Sequence, residues 1–162
     1  MKYMNCFYLY ENAVSKGVLT MKKVLFICHG NVCRSVSAEY IMKDLAKKNG
    51  VDLYVSSAAT SREEIGNDIY PPAKRKLKEK GIPFSRHYAR QATMSDYLSY
   101  DYLICMDENN IRNLNRMFNN DPDHKIYKLL SRDVSDPWYT NDFETAYNDI
   151  FEGCKAWLEK LS

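Results

Sequence analysis

The chain has little net charge, no long apolar run, and few of the residues that mark fibrous or low-complexity proteins. Its 162 residues include 23 Lys+Arg and 21 Asp+Glu, a formal net charge of +2. That balance gives no electrostatic case for a nucleic-acid partner, so any anion site must be local. The longest clean apolar run, Val24-Leu25-Phe26-Ile27-Cys28, falls well short of the roughly 20 residues that cross a bilayer. No membrane association is expected. With six Gly, five Pro and 45% apolar residues, the chain is neither collagen-like nor disordered. Its length fits one domain with a real core. Five cysteines, at positions 6, 28, 33, 105 and 154, are an odd number in a chain too long to need staples. A secreted disulfide framework is therefore not expected. The reading is a reduced, cytoplasmic protein in which at most one or two thiols do chemistry.

Residues 1–20 differ from the remainder. They scatter Tyr3, Phe7, Tyr8 and Tyr10 among polar residues with no sustained period. They also lack the basic and apolar regions of a secretory signal. They read as a non-essential N-terminal extension, and residues 21–162 as the domain. From Met21 onward, strand-like and helix-like segments alternate. Val24–Cys28 reads as a strand buried on both faces. Ala38, Ile41, Met42 and Leu45 mark an amphipathic helix that closes at Asn49-Gly50. Further strands are expected at Leu53–Ala58, Tyr102–Met106 and Ile126–Leu130. Pro71-Pro72 opens a basic helix over 72–80. Thr93-x-x-Asp96 is a capping box, Asp107 caps a helix carrying Ile111, Leu114 and Phe118, and Ser131–Asp142 reads as a polar loop. A last helix bears a stripe from Phe143 to Leu161. This alternation predicts an α/β fold with a parallel sheet and helices on both faces. Ligands of such sheets bind beyond the carboxyl ends of the strands, which points to the loop after the first strand.

That loop is Cys28-His29-Gly30-Asn31-Val32-Cys33-Arg34-Ser35. Leaving a strand and entering a helix, its N–H groups can curl around an anion. Gly30 and Asn31 tolerate the positive φ this requires, and Arg34 can hold two phosphate oxygens at once. The same positive field favours a thiolate at Cys28, which would face a bound phosphoryl group as a nucleophile. By chance, an Arg six residues after one of five cysteines arises roughly one time in four. The weight therefore rests on the strand before the motif, the Gly-Asn within it and the helix after it.

The segment closely resembles the active-site loop of the low-molecular-weight protein tyrosine phosphatases, C-x-G-N-x-C-R-S. Further landmarks follow in the family's order: Ser57-Ala58-Ala59-Thr60-Ser61, Gly81-Ile82-Pro83, His87-x-Ala89-Arg90-Gln91, Asp101 to Asp107, and Asp136-Pro137-Trp138. The resemblance implies a three-layer α/β fold with a four-stranded parallel sheet, and hydrolysis of phosphotyrosine with no cofactor and no metal. It implies Cys28 as the nucleophile that becomes phosphocysteine. Arg34 and the loop residues His29, Gly30, Asn31, Val32 and Cys33 would bind phosphate, and Asp136 would be the general acid and then the base. Asn31, Ser35, Ser57 and His87 would shape the loop, and Cys33 would be a reversible disulfide partner for Cys28. Glu63, Trp138 and Tyr139 would form the substrate wall, Tyr139 being a position that is itself phosphorylated in some members. The expected partners are phosphotyrosine proteins or small aryl phosphates, with the protein a monomer or weakly self-associating.

The chain departs from the family's pattern in three places. Val36 replaces a common proline, Trp138 replaces a tyrosine, and Arg62-Glu63-Glu64 replaces an aromatic wall. The two glutamates are expected to disfavour acidic phosphopeptides. Three other readings compete. A thioredoxin-coupled arsenate reductase needs two more redox cysteines, and only Cys105 lies at a comparable distance, in an apparent buried strand. The protein-arginine phosphatase branch favours Thr where Val32 stands. An inactive anion-binding module has no reason to keep Cys28, Arg34 and Asp136 together. Asp133 and Asp142 are the rival acids.

Overall fold

The computed structural model describes residues 21–162; the expected extension, residues 1–20, lies outside the described residues. The elements run in order β1 (Lys22–Cys28), α1 (Arg34–Lys48), β2 (Leu53–Ala59), α2 (Pro71–Glu79), α3 (Met94–Ser99), β3 (Tyr102–Cys105), α4 (Glu108–Met117), β4 (Ile126–Lys128), α5 (Pro137–Thr140) and α6 (Phe143–Leu161). The four strands form one sheet in the order β2-β1-β3-β4. Every pairing is parallel. This is the α/β fold read from the alternation of segments.

The strand that carries the loop is the most deeply buried. Val24, Leu25, Phe26 and Ile27 are all fully inaccessible, so β1 is covered on both faces, as its unbroken apolar run predicts. On one face Val24 and Phe26 pack with Ile41 and Met42 of α1, Leu77 of α2 and Ile150 and Trp157 of α6. On the other, Leu25 and Ile27 meet Leu103 and Cys105 of β3, Tyr97 of α3 and Leu114 of α4. Each large apolar side chain buried this way contributes about 1.5–3 kcal/mol. The chain leaves β1 towards β2 on one side and returns to β3 on the other. The end of β1 is thus the switch point of the sheet, where such folds open a crevice.

The local signals hold at the caps. Thr93 and Asp96 exchange side-chain and backbone bonds at α3, and Asp107 and Asn110 do the same at α4. Two stretches differ from the sequence reading. The fourth strand stops at Lys128, because Leu129 turns inward against α6. A Cβ at Gly153 of α6 would collide with the Leu129 side chain, and Trp157 Nε1 donates to Leu129 O at 3.1 Å. The polar stretch Ser131–Asp142 contains one helical turn, α5. Pro137 supplies the helical φ at its first position and Asp136 caps it by accepting from Trp138 N at 3.1 Å.

Candidate active site

The site begins with a helix that no side chain caps. Cys33, the residue before α1, makes no side-chain capping bond, and the first turn holds no acidic residue. The N–H groups of that turn are left for an outside anion. Asn31 sits in the left-handed region at φ 61°, which turns the backbone so that its own N–H donates to Cys28 Sγ at 3.3 Å.

The Asn31 side chain is held on all sides. Its Nδ2 donates to Ser35 Oγ and to Ser57 Oγ, each at 2.9 Å, and its Oδ1 accepts from Arg90 N at 3.2 Å. Ser57 in turn donates to Glu39 Oε1 at 2.7 Å. Ser35 Oγ accepts from Asn31 Nδ2 and from the Cys28 thiol, 3.0 Å away, and once that thiol loses its proton the hydroxyl hydrogen is free to turn to the sulfur. The sulfur thus lies between one backbone donor, Asn31 N–H, and one hydroxyl, Ser35 Oγ. From behind, His87 Nε2 donates to Asn31 O at 2.7 Å. Burial holds the His87 imidazole below its ordinary pKa, against the pull of Asn31 O, Glu39 and Asp68.

Arg34 is almost wholly buried and makes three contacts. Nη1 donates to Asp107 Oδ2 and to Val134 O, each at 2.7 Å, and Nη2 donates to Asp136 Oδ2 at 3.2 Å. Burial works against its charge, but Cys28, Asp136 and Asp107 outweigh that and raise its pKa above the ordinary value. The guanidinium is a fixed cation at the floor of the pocket, already holding the carboxylate of the Asp136 loop. That loop is steadied from its other side by Tyr70, whose ring lies 4.7 Å from Trp138 and 6.2 Å from Phe143. The backbone N–H of Tyr70 donates to Val32 O at 2.9 Å, which ties the same residue to the anion loop.

One pocket gathers Cys28 through Arg34, Glu63, Glu64, Asp136, Trp138 and Tyr139. It therefore brings together the expected nucleophile, phosphate-binding residues, acid and wall. Ser35, Ser57 and His87 sit behind the loop rather than in the pocket. Cys33 is buried, and burial first, then the charges of Cys28 and Asp136, push its thiol far up. The rival acids are engaged elsewhere. Asp133 pairs with Lys128 at 2.7 Å and accepts from Glu108 N, while Asp142 accepts from Thr145 N at 3.0 Å as the cap of α6. Cys105 is fully buried in β3. Among the described residues, no cluster of three or more His, Cys, Asp or Glu side chains is arranged to hold a metal ion.

Three supporting residues escape the sequence reading: Glu39, Arg90 and Asp107 in its role as partner of Arg34. Only Glu39 left a trace, a carboxylate on the apolar face of α1 among Val36, Ala38, Ile41 and Met42, all buried with it.

Fold and site together define a doubly wound α/β protein with a cysteine loop that enters an uncapped helix at the switch point of its sheet. The chain matches the family described as low molecular weight phosphotyrosine protein phosphatase over residues 23–162. It is 44% identical over 151 residues to the human low molecular weight phosphotyrosine protein phosphatase, covering 86% of this chain and 95% of that one. Among solved structures, that of YfkJ from Bacillus subtilis matches with a TM-score of 0.86 at 37% identity, covering 89% of this chain and 96% of that one. The low molecular weight protein tyrosine phosphatase of Streptococcus pyogenes gives 0.83 at 40% identity, covering 88% and 94%. The chain belongs to the low molecular weight phosphotyrosine protein phosphatase family and is an enzyme of that class.

Proposed function

We propose that this protein hydrolyses phosphotyrosine in two steps through a phosphocysteine on Cys28. In the first step the Cys28 thiolate attacks phosphorus, the S–P bond forms and the aryl O–P bond breaks. Asp136 gives its proton to the departing phenolate oxygen. In the second step Asp136, now a carboxylate, takes a proton from water as its oxygen attacks phosphorus. The S–P bond breaks, inorganic phosphate leaves, and the thiolate and the acid are restored. The loop N–H groups and Arg34 hold the phosphoryl oxygens throughout, the largest single contribution in such sites. General acid catalysis supplies about 10²–10⁴-fold more. The observation that carries this reading is Cys28 Sγ set between the Asn31 N–H and the Ser35 hydroxyl, in one pocket with the Arg34–Asp136 pair.

The same reading makes Cys28 redox-sensitive. Peroxide converts the thiolate to a sulfenic acid and itself to hydroxide. The Cys33 thiol then displaces that oxygen as water, closing a Cys28–Cys33 disulfide that added thiol reopens. A reducing, cytoplasmic setting and monomeric action on phosphotyrosine proteins or small aryl phosphates, without nucleic acid or membrane, complete the proposal.

The test is turnover of p-nitrophenyl phosphate in the presence of a chelator, with quenched protein analysed for phosphate on Cys28. Cys28→Ser is expected to retain less than about 1% of turnover. A variant with more, or quenched wild type phosphorylated elsewhere, would contradict the nucleophile.

A further inference from the structure

Two carboxylates line the pocket that are absent from the chemistry proposed above. Glu63 and Glu64 come from the Ser61–Gly66 stretch and border the pocket together with Asp136. The only cationic side chains among the lining residues are Arg34 and, when protonated, His29. Arg34 is already shared between Asp107 and Asp136. The rim of this anion-binding pocket is therefore itself negative.

The two glutamates are held differently. Glu63 is exposed and, among the described residues, its carboxylate reaches only His29, Oε2 to Nε2 at 2.9 Å, with side chains 68% and 45% accessible. Such an open pair contributes little, so an incoming cation can draw Glu63 away. Glu64 is fixed, accepting from Asn67 Nδ2 at 2.6 Å. Its Cγ lies 3.3 Å from where a Gly30 Cβ would stand, which sets it directly against the anion loop. Its charge reaches the loop, being one of the influences that raise the Cys33 thiol. Neither carboxylate helps bind a dianion; both repel one. What they favour is a cation delivered beside the phosphate, and Trp138 and Tyr139, 48% and 80% exposed at the same mouth, supply aromatic faces on which such a cation also rests.

We propose that Glu63 and Glu64 select phosphotyrosine segments that carry Lys or Arg next to the phosphotyrosine, and reject segments with acidic neighbours. This rests on the phosphatase reading above and adds the substrate class. Complementary rim charge acts on encounter and discrimination more than on raw affinity.

The experiment compares kcat/KM for two phosphopeptides that differ only in Lys or Glu beside the phosphotyrosine, at low ionic strength. The wild type is expected to favour the Lys peptide by about three- to tenfold, the scale of two exposed charge contacts, and salt should shrink the preference. The paired substitutions Glu63→Gln and Glu64→Gln should bring the ratio close to unity, and Glu63→Lys with Glu64→Lys should invert it. The ratio is taken within each variant, so changes in overall activity cancel. The ratio of peptide affinities for Cys28→Ser gives the same comparison without turnover. A wild-type ratio near unity or favouring Glu, or a ratio unmoved by the substitutions, overturns the proposal. Turnover of p-nitrophenyl phosphate, which has no flanking residue, reports separately on the phosphatase chemistry. Hydrolysis of that ester without a charge preference overturns only the selection by Glu63 and Glu64.

Discussion

The two loops that meet over Cys28 are built to opposite standards. In the anion loop, Asn31 spends both amide hydrogens and its carbonyl oxygen on fixed partners, and Ser57 passes the network to the buried Glu39. In the Asp136 loop, a single helical turn carries exposed Trp138 and Tyr139. It is held at one end by Arg34 and at the other by the Tyr70 ring. The contrast suits the roles proposed above for each loop. Groups that stabilise phosphoryl charge work best when already in place, because no reorganisation is then needed during reaction. An acid is needed only as the leaving oxygen gains charge, and its loop must also admit the substrate.

The comparison is tested most strongly at Tyr70, the residue that touches both loops. Tyr70→Ala removes the Trp138 contact and leaves the backbone bond to Val32. Turnover of phenyl phosphate, whose leaving group needs a proton, is expected to fall about two- to tenfold, the scale of one aromatic pair. Turnover of p-nitrophenyl phosphate should change by less than about twofold, and Tyr70→Phe should restore both. An equal loss on the two esters would show that Tyr70 supports the anion loop alone.

A smaller effect belongs to the anion loop. His87 is held below the ordinary imidazole pKa of 6.5 by burial, so the native state prefers it neutral while the unfolded chain protonates first as pH falls. Its contribution is full above pH 6.5 and is lost as pH drops below that towards the folded value. Denaturant unfolding should therefore show stability declining below pH 6.5, at no more than about 1.4 kcal/mol per pH unit, the slope of one proton. His87→Gln should flatten that limb. The carboxylates held low by partners, Asp68, Asp96, Asp121, Asp133, Asp142 and Glu144, lose their contribution only at and below the ordinary carboxylate values of 3.8 and 4.5, beneath the start of this window. A decline unchanged in His87→Gln would assign it to another group.

Sequence and structure agree where the signal is local. The Val24–Cys28 part of β1 is legible because a strand segment covered on both faces must be apolar throughout, and the caps at Thr93 and Asp107 are legible because their bonds span three residues. The anion loop is legible because Gly-Asn, Arg34 and the following helix lie in one run. The support beneath it is not. Glu39 reaches Ser57 across 18 positions, Arg90 reaches Asn31 across 59 and Asp107 reaches Arg34 across 73. No period or cap records such contacts. The turn at Pro137 is an intermediate case, since its proline and its capping Asp136 are both local, but one turn is too short to show an apolar stripe.

The division of labour between the loops is tested most directly by the dependence of kcat on leaving-group pKa, measured over a series of aryl phosphates. If Asp136 protonates the departing oxygen as proposed, the slope should be shallow while it is present. Asp136→Asn should steepen it, costing about 10²–10⁴-fold on phosphotyrosine and far less on p-nitrophenyl phosphate. Inhibition by vanadate or phosphate should stay near normal, because Arg34 and the loop N–H groups remain. A slope unchanged in Asp136→Asn but steepened in Asp133→Asn would contradict the account and move the acid to the other carboxylate.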